Sequence, residues 1–115
     1  MVDVSFRRDS RDRLSSVVSK GHAEQAEHGE DVVCAAVSAL LQAAWLGLTD
    51  VAGIAVTGRR DPGDFLLRWP VEARDRADVR AIVATAELAI AQIASQPEYA
   101  RFVRCRRERE TERSE

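Results

Sequence analysis

The residue types that could carry out chemistry are concentrated between Gly21 and Ser38. This segment contains both histidines of the chain, His22 and His28, and the thiol of Cys34. A cysteine thiolate is a strong nucleophile, and a nearby imidazole can favour the thiolate and transfer the proton that catalysis requires. The segment therefore holds the minimal equipment of a cysteine nucleophile with a histidine base.

The pattern after this loop places Cys34 close to the start of a helix. Asp31 is a good N-cap, and an apolar, alanine-rich run follows it to about Leu46. In such a helix Cys34 lies in the first turn, where unpaired backbone N–H groups favour a thiolate and could hold an oxyanion. Asp31 could also fix a histidine tautomer, and Ser38 lies one turn beyond Cys34 on the same face.

The two histidines differ in their predicted backbone surroundings. His22 follows a predicted strand and Gly21, so its backbone should be firmer than that of His28, which lies in the middle of the predicted loop. Gly21 and Gly29 bracket this loop.

Each of these residues also has a purely structural interpretation. A cysteine in an apolar helix is more often a small core residue than a nucleophile. Asp31 is more often a cap than a catalytic acid, and a serine such as Ser38 more often packs between helices. A metal site built from His22, His28 and Cys34 lacks a fourth ligand and matches no common zinc spacing, so we predict no metal and no cofactor.

Composition limits the remaining possibilities. A chain of 115 residues fits one domain, and 45% apolar with 31% charged residues is typical of a globular protein. The net charge of −2 argues against a general nucleic-acid binder. No apolar run approaches the ~20 residues of a membrane span, and the N-terminus lacks a signal-peptide core, so we expect a cytoplasmic protein without membrane contact.

Apolar periodicity predicts the elements that must position this segment. The predicted strands cover residues 2–6, 14–19, 51–56, 65–69 and 99–103, and the predicted helices cover residues 31–46 and 78–95. The β-β-α-β-β-α order indicates a small α+β two-layer sandwich, with two helices packed on a mainly antiparallel sheet. Residues 106–115 have mixed charge without an apolar anchor, which is typical of disorder.

The same segment resembles a known family signature. Its matching residues are Gly21-His22-Ala23, Gly29, Asp31 and Val33-Cys34-Ala35-Ala36-Val37-Ser38-Ala39. Together they closely resemble the signature of the ribosomal-processing cysteine protease family, Prp. The likeness extends over residues 1–104, through both hairpins and the second helix, and leaves residues 105–115 as a charged tail.

The resemblance implies a homodimeric cysteine endopeptidase that removes the N-terminal extension of large-subunit ribosomal protein twenty-seven during ribosome assembly. It implies that Cys34 is the nucleophile and His22 the base, with Asp31 and Ser38 in support. The loop bracketed by Gly21 and Gly29 corresponds to a segment that moves to admit substrate. The alternatives are a non-catalytic ribosome-assembly or binding module of the same fold, and a related thiol protease with a different peptide substrate.

Overall fold

The computed structural model describes residues 1–21 and 28–110, with only the backbone for His28. The strands and helices follow the predicted order along the chain, but the final strand, predicted at residues 99–103, lies at Val103–Arg109. In chain order they are β1 (Val2–Arg8), β2 (Leu14–Lys20), α1 (His28–Leu46), a π-helical turn (Gly47–Val51), β3 (Thr57–Asp61), β4 (Asp64–Arg68), a short 3₁₀ turn (Val71–Ala73), α2 (Ala77–Ser95) and β5 (Val103–Arg109).

The five strands form one sheet in the order β3-β4-β2-β1-β5. Three neighbouring pairs are antiparallel, and only β1 and β5 run parallel. Both helices pack on this sheet and contribute to a single apolar core. The predicted α+β class, with two helices on a mainly antiparallel sheet, is confirmed.

The buried residues of the core have the spacing from which these strands and helices are predicted. On β1, Val2, Val4 and Phe6 are at most 2% exposed and alternate with less buried polar residues, as expected for a strand with one covered face. The helices present apolar residues at three- and four-residue spacing to the same core. On α1 these are Val33, Val37, Leu41 and Ala44, and on α2 they are Val79, Val83, Ala86 and Ile90.

One charged residue lies within the helical layer and is neutralised there. The side chain of Glu87, on α2, accepts two hydrogen bonds of 3.1 and 3.2 Å from the guanidinium of Arg8, at the end of β1. A bidentate guanidinium–carboxylate pair is the geometry that best offsets the cost of burying a carboxylate. The pair therefore links α2 to β1.

The first strand of the second hairpin is not where the apolar pattern predicts it. Residues 51–56 form no strand, and the strand is Thr57–Asp61, in the segment predicted as a turn. All five residues of β3 are exposed, and β3 is an edge strand that pairs with β4 alone. An exposed edge strand carries no apolar alternation, so its pairing with β4 decides its position.

The charged segment after residue 104 also departs from the expectation of a disordered tail. Val103–Arg109 forms β5, in parallel register with β1 from Val2 to Arg8. The guanidinium of Arg106 donates a 2.6 Å hydrogen bond to Asp3 on β1. The boundary predicted at residue 104 therefore falls inside a strand, and residues 111–115 lie outside the described part.

The stretch Gly29–Val51 is long and apolar enough to cross a membrane by length and composition alone, although the sequence analysis expected no such run. Within it, Val33, Val37 and Leu41 are at most 2% exposed and belong to the core that faces the sheet. The helix of a protein core satisfies the same criteria, and the face of this stretch that carries these residues belongs to the core.

Candidate active site

Helix α1 begins at His28, three residues earlier than predicted. Asp31 is therefore an exposed residue of the first turn and not the N-cap, and His28 lies in the helix rather than in the middle of a loop. Cys34 falls in the second turn, where backbone N–H groups have partners within the helix. The predicted activation of Cys34 by first-turn N–H groups is wrong, since that field falls off within one turn.

Cys34 lines a cleft of about 390 Å³ between α1 and the β3–β4 hairpin. Ser38 and Gln42 follow Cys34 at four-residue steps and line the same cleft, so one face of α1 supplies three polar side chains. The rest of the lining comes from the sheet, the helix and the hairpin turn: Val2, Ser19, Gly21, Val37, Leu41, Arg60, Asp61, Pro62, Gly63, Asp64 and Phe65.

The structure places three of the residues that the sequence singled out in one cleft. Cys34, Ser38 and Gly21 line the cleft, whereas Asp31 does not. His22 lies outside the described residues, but it follows Gly21 directly in the chain. The chain therefore leaves the sheet at Gly21, in the lining of the cleft, on its way to position 22.

Gly21, where the chain leaves the sheet, has a backbone conformation that favours glycine. Its φ is +99°, and a Cβ added there would lie 2.2 Å from the carbonyl oxygen of Met1. Its amide donates a 3.0 Å hydrogen bond to the carbonyl of Gly63, in the β3–β4 turn. The end of β2 is thus joined both to the chain start and to the wall of the cleft.

Gly29, at the other end of the predicted loop, packs against Phe102 and is not part of the cleft lining. A Cβ at this position would lie 2.8 Å from Cε2 of Phe102, so the ring packs directly on the glycine backbone. The next residue, Glu30, forms an ion pair with the terminal ammonium group of Met1. The start of α1 is therefore attached to the same end of β1 that Gly21 contacts.

The hairpin residues of the cleft were missed by the sequence analysis. The segment 57–64 was interpreted as a turn, so Arg60 and Asp64 were not considered as site residues. Gln42 had a detectable signal, because it continues the four-residue spacing of Cys34 and Ser38 on α1.

Asp64 is held as a carboxylate by two cations. Arg59 donates a 2.8 Å hydrogen bond through Nε, and Lys20 donates a 2.7 Å hydrogen bond through Nζ. These two hydrogen bonds lower the pKa of Asp64 to about 2. Asp64 is therefore charged at neutral pH and is neutralised by the two cations.

The second cysteine differs from Cys34 in its surroundings. Both thiols are free and half-buried, but Cys105 packs on the core from β5 and does not line the cleft. Burial raises the pKa of the Cys105 thiol, and the charge of Glu87 adds to the effect. Among the described residues, Cys34 is thus the thiol placed to meet a ligand in the cleft.

No three His, Cys, Asp or Glu side chains within the described ranges are arranged to hold a metal ion. The chemistry that the cleft offers is that of a thiol with hydroxyl and amide donors beside it. This donor set fits acyl transfer from a peptide or ester carbonyl.

The fold and the sequence both have known counterparts. The family model described as "Cysteine protease Prp" matches residues 1–104. The ribosomal processing cysteine protease Prp of Bacillus subtilis (strain 168) is 33% identical over 85 residues, which cover 69% of this chain and 76% of that relative.

Among solved structures, a crystal structure of a Streptococcus mutans protein superposes with a TM-score of 0.82 at 26% identity, covering 96% of each chain. A crystal structure of Prp from S. aureus in complex with a substrate peptide gives a TM-score of 0.81 at 22% identity, covering 93% of this chain and 99% of that one. The chain belongs to the Prp family of cysteine proteases, and the enzyme class predicted from the resemblance is confirmed.

Proposed function

We propose that this member of the Prp cysteine protease family removes the N-terminal extension of large-subunit ribosomal protein twenty-seven, with Cys34 as the nucleophile and His22 as the base. The single observation that carries the proposal is that Cys34 is the described thiol that lines the cleft. The Bacillus subtilis relative is named a ribosomal processing protease, which supports a ribosomal protein as the substrate.

The first half of the reaction forms an acyl-enzyme. The Cys34 thiolate attacks the scissile carbonyl carbon and forms a C–S bond, and the electron pair moves to the carbonyl oxygen. The imidazolium of His22 protonates the amine nitrogen as the C–N bond breaks, and the C-terminal fragment leaves.

The second half regenerates the thiol. Neutral His22 takes a proton from water, the resulting hydroxide attacks the thioester carbon, and the C–S bond breaks to release the N-terminal fragment. The thiolate of Cys34 and the protonated imidazole are restored together, so no cofactor takes part.

The supporting residues have roles that follow from their places on α1. Ser38, one turn beyond Cys34 in the cleft, supplies a hydroxyl donor to the substrate oxygen. Asp31, three residues before Cys34, is close enough in spacing to orient an imidazole that enters from His22. The loop bracketed by Gly21 and Gly29 serves as the substrate gate that the family resemblance implies, and the close contacts of the two glycines fix its ends.

The same proposal includes a homodimer in the cytoplasm, where ribosomes assemble. Its support is an apolar groove of about 410 Å³ between α1 and α2, lined by Leu40, Gly47 and Ile82 among others. Leu46 and Leu88 on the two helices are 51% and 64% exposed. Sedimentation velocity across a range of concentrations tests this association.

The function is tested with a peptide that spans the extension and the first residues of the mature ribosomal protein. Mass spectrometry should show a single cut by the wild-type protein and none by the Cys34→Ala variant. The matched control is Cys105→Ala, which removes the other thiol and should retain the activity. Cleavage by a folded Cys34→Ala protein would contradict the assignment of the nucleophile.

A related protease with another peptide substrate is the second candidate. It is favoured if the ribosomal protein of the same organism has no N-terminal extension, because the expected scissile bond is then absent.

A further inference from the structure

Arg60 projects from β3 toward α1 and into the cleft. Its guanidinium carbon lies 4.3 Å from the ring centre of Trp45, and its Nη1 lies 3.5 Å from Oε1 of Gln42. Successive side chains of a strand point to opposite faces. Arg59 therefore projects to the other face, where its partner is Asp64.

The contacts of Arg60 position its charge without neutralising it. The ring of Trp45 and the amide of Gln42 are both uncharged. The ion pairs of this hairpin in the described part of the chain join Asp64 to Arg59 and to Lys20 and leave Arg60 without a carboxylate. A guanidinium stacked on an aromatic ring remains free to make two parallel hydrogen bonds with a carboxylate.

The α1 side of the cleft carries no carboxylate that could pair with Arg60. Cys34, Val37, Ser38, Leu41 and Gln42 line that side, and none of them is an acid. The two carboxylates of the lining, Asp61 and Asp64, are paired strand residues on either side of the hairpin turn. Each is adjacent in sequence to Arg60 or Phe65, so its side chain points to the opposite face of the hairpin.

The distance from Cys34 sets where along a peptide this charge would act. Gln42, which contacts Arg60, lies eight residues after Cys34 on α1. This separation is about 12 Å along the helix axis. An extended peptide advances about 3.3 Å per residue. For an extended peptide that runs along α1, Arg60 therefore lies about three or four residues from a scissile bond held at Cys34.

We propose that Arg60 is a specificity-determining residue that binds a carboxylate of the substrate peptide three or four residues from the bond cleaved at Cys34. The inference rests on the proposed protease function and adds a preference for an acidic side chain at one position. The planar guanidinium, oriented by Trp45, pairs with that carboxylate through two hydrogen bonds.

The test uses the extension peptide with Glu or Gln placed singly at each of the five positions on either side of the scissile bond. The ratio of kcat/KM for the Glu peptide over the Gln peptide should be about five- to tenfold at one position, three or four residues from the bond, since a charge-assisted hydrogen bond exceeds a neutral one by about this much. At the other positions the ratio should be near one.

Two single variants identify the residue responsible. Arg60→Gln should reduce the ratio to near one by lowering kcat/KM for the Glu peptide, and circular dichroism checks that the variant is folded. The matched control is Arg59→Gln, which removes the same charge from the adjacent residue on the opposite face and should keep the ratio.

Either of two results would overturn the inference about Arg60 and leave the proposed protease function standing. One is a ratio near one at every position for the wild-type protein, and the other is an equal loss of the ratio in the two variants. The second result would indicate a general effect of net charge. Failure of the wild-type protein to cleave any peptide of the series would instead contradict the proposed function, and the subsite with it.

Discussion

The amide of Gly21 donates a 3.0 Å hydrogen bond to the carbonyl of Gly63 and so connects the end of β2 to the β3–β4 turn. Both residues line the cleft that contains Cys34. The point where the chain leaves the sheet toward His22 is therefore set by the same turn that forms one wall of the site.

Replacing Gly21 with alanine should destabilise the protein by more than the backbone strain of a positive φ. The new Cβ would lie 2.2 Å from the Met1 carbonyl oxygen, in addition to the strain of φ +99°. We expect a loss of more than about 3 kcal/mol in the free energy of unfolding, measured by urea denaturation.

Gly53→Ala is the matched control for this effect. Gly53 has φ +71°, but a Cβ there would meet nothing within 4 Å. Its substitution should cost only about 1 kcal/mol of backbone strain. Equal losses in the two variants would show that the contact with Met1 does not matter.

The two thiols should differ in their rates of alkylation. Cys34 faces the cleft, whereas burial and Glu87 raise the pKa of Cys105 and so reduce its thiolate fraction near neutral pH. Iodoacetamide at about pH 7.5 should label Cys34 before Cys105. Peptide mapping by mass spectrometry would show the order of labelling. Faster labelling of Cys105 in the folded protein would argue for a structural Cys34.

The two histidines should differ in their effect on peptide cleavage. His22→Ala should lower kcat/KM by a factor of about 10² to 10⁴, the usual contribution of a general acid–base group. His28→Ala, at the first residue of α1, should lower it less than about threefold. Equal losses would mean that the base is wrongly assigned.

Asp64 should titrate at an unusually low pH. Hydrogen bonds from Arg59 and Lys20 lower its pKa from 3.8 to about 2. Because the pKa is lower in the folded state, the charged carboxylate stabilises the fold above about pH 4, and this contribution is lost as the pH falls through 2.

An NMR titration of the Asp64 carboxyl carbon tests this directly. The wild-type protein should show a midpoint near 2, and Arg59→Gln should raise it because the strongest donor is removed. A wild-type midpoint near 3.8 would rule out a strong interaction with the two cations in solution.

The sequence predicts a strand or helix most accurately where one face of that element is buried. Val2, Val4 and Phe6 alternate on β1, and Val79, Val83 and Ile90 recur at helical spacing on α2, so the hydrophobic effect leaves a direct record in the sequence. The start of α1 was misplaced because Asp31 has the chemistry of a cap, whereas the helix continues back to His28. Such helix ends depend on contacts such as that between Gly29 and Phe102.

The sequence by itself determined the α+β class and the family signature, and it singled out Cys34 as the candidate nucleophile. Only the tertiary structure decided that residues 57–61 and 103–109 are strands, and that Arg60 and Gln42 share a cleft with Cys34. The physical reason is that edge strands are held by hydrogen bonds to one neighbour and bury few side chains, so they leave no apolar period in the sequence. The wall of the cleft opposite α1 is built from one of those strands, and its position therefore follows from pairing and not from local pattern.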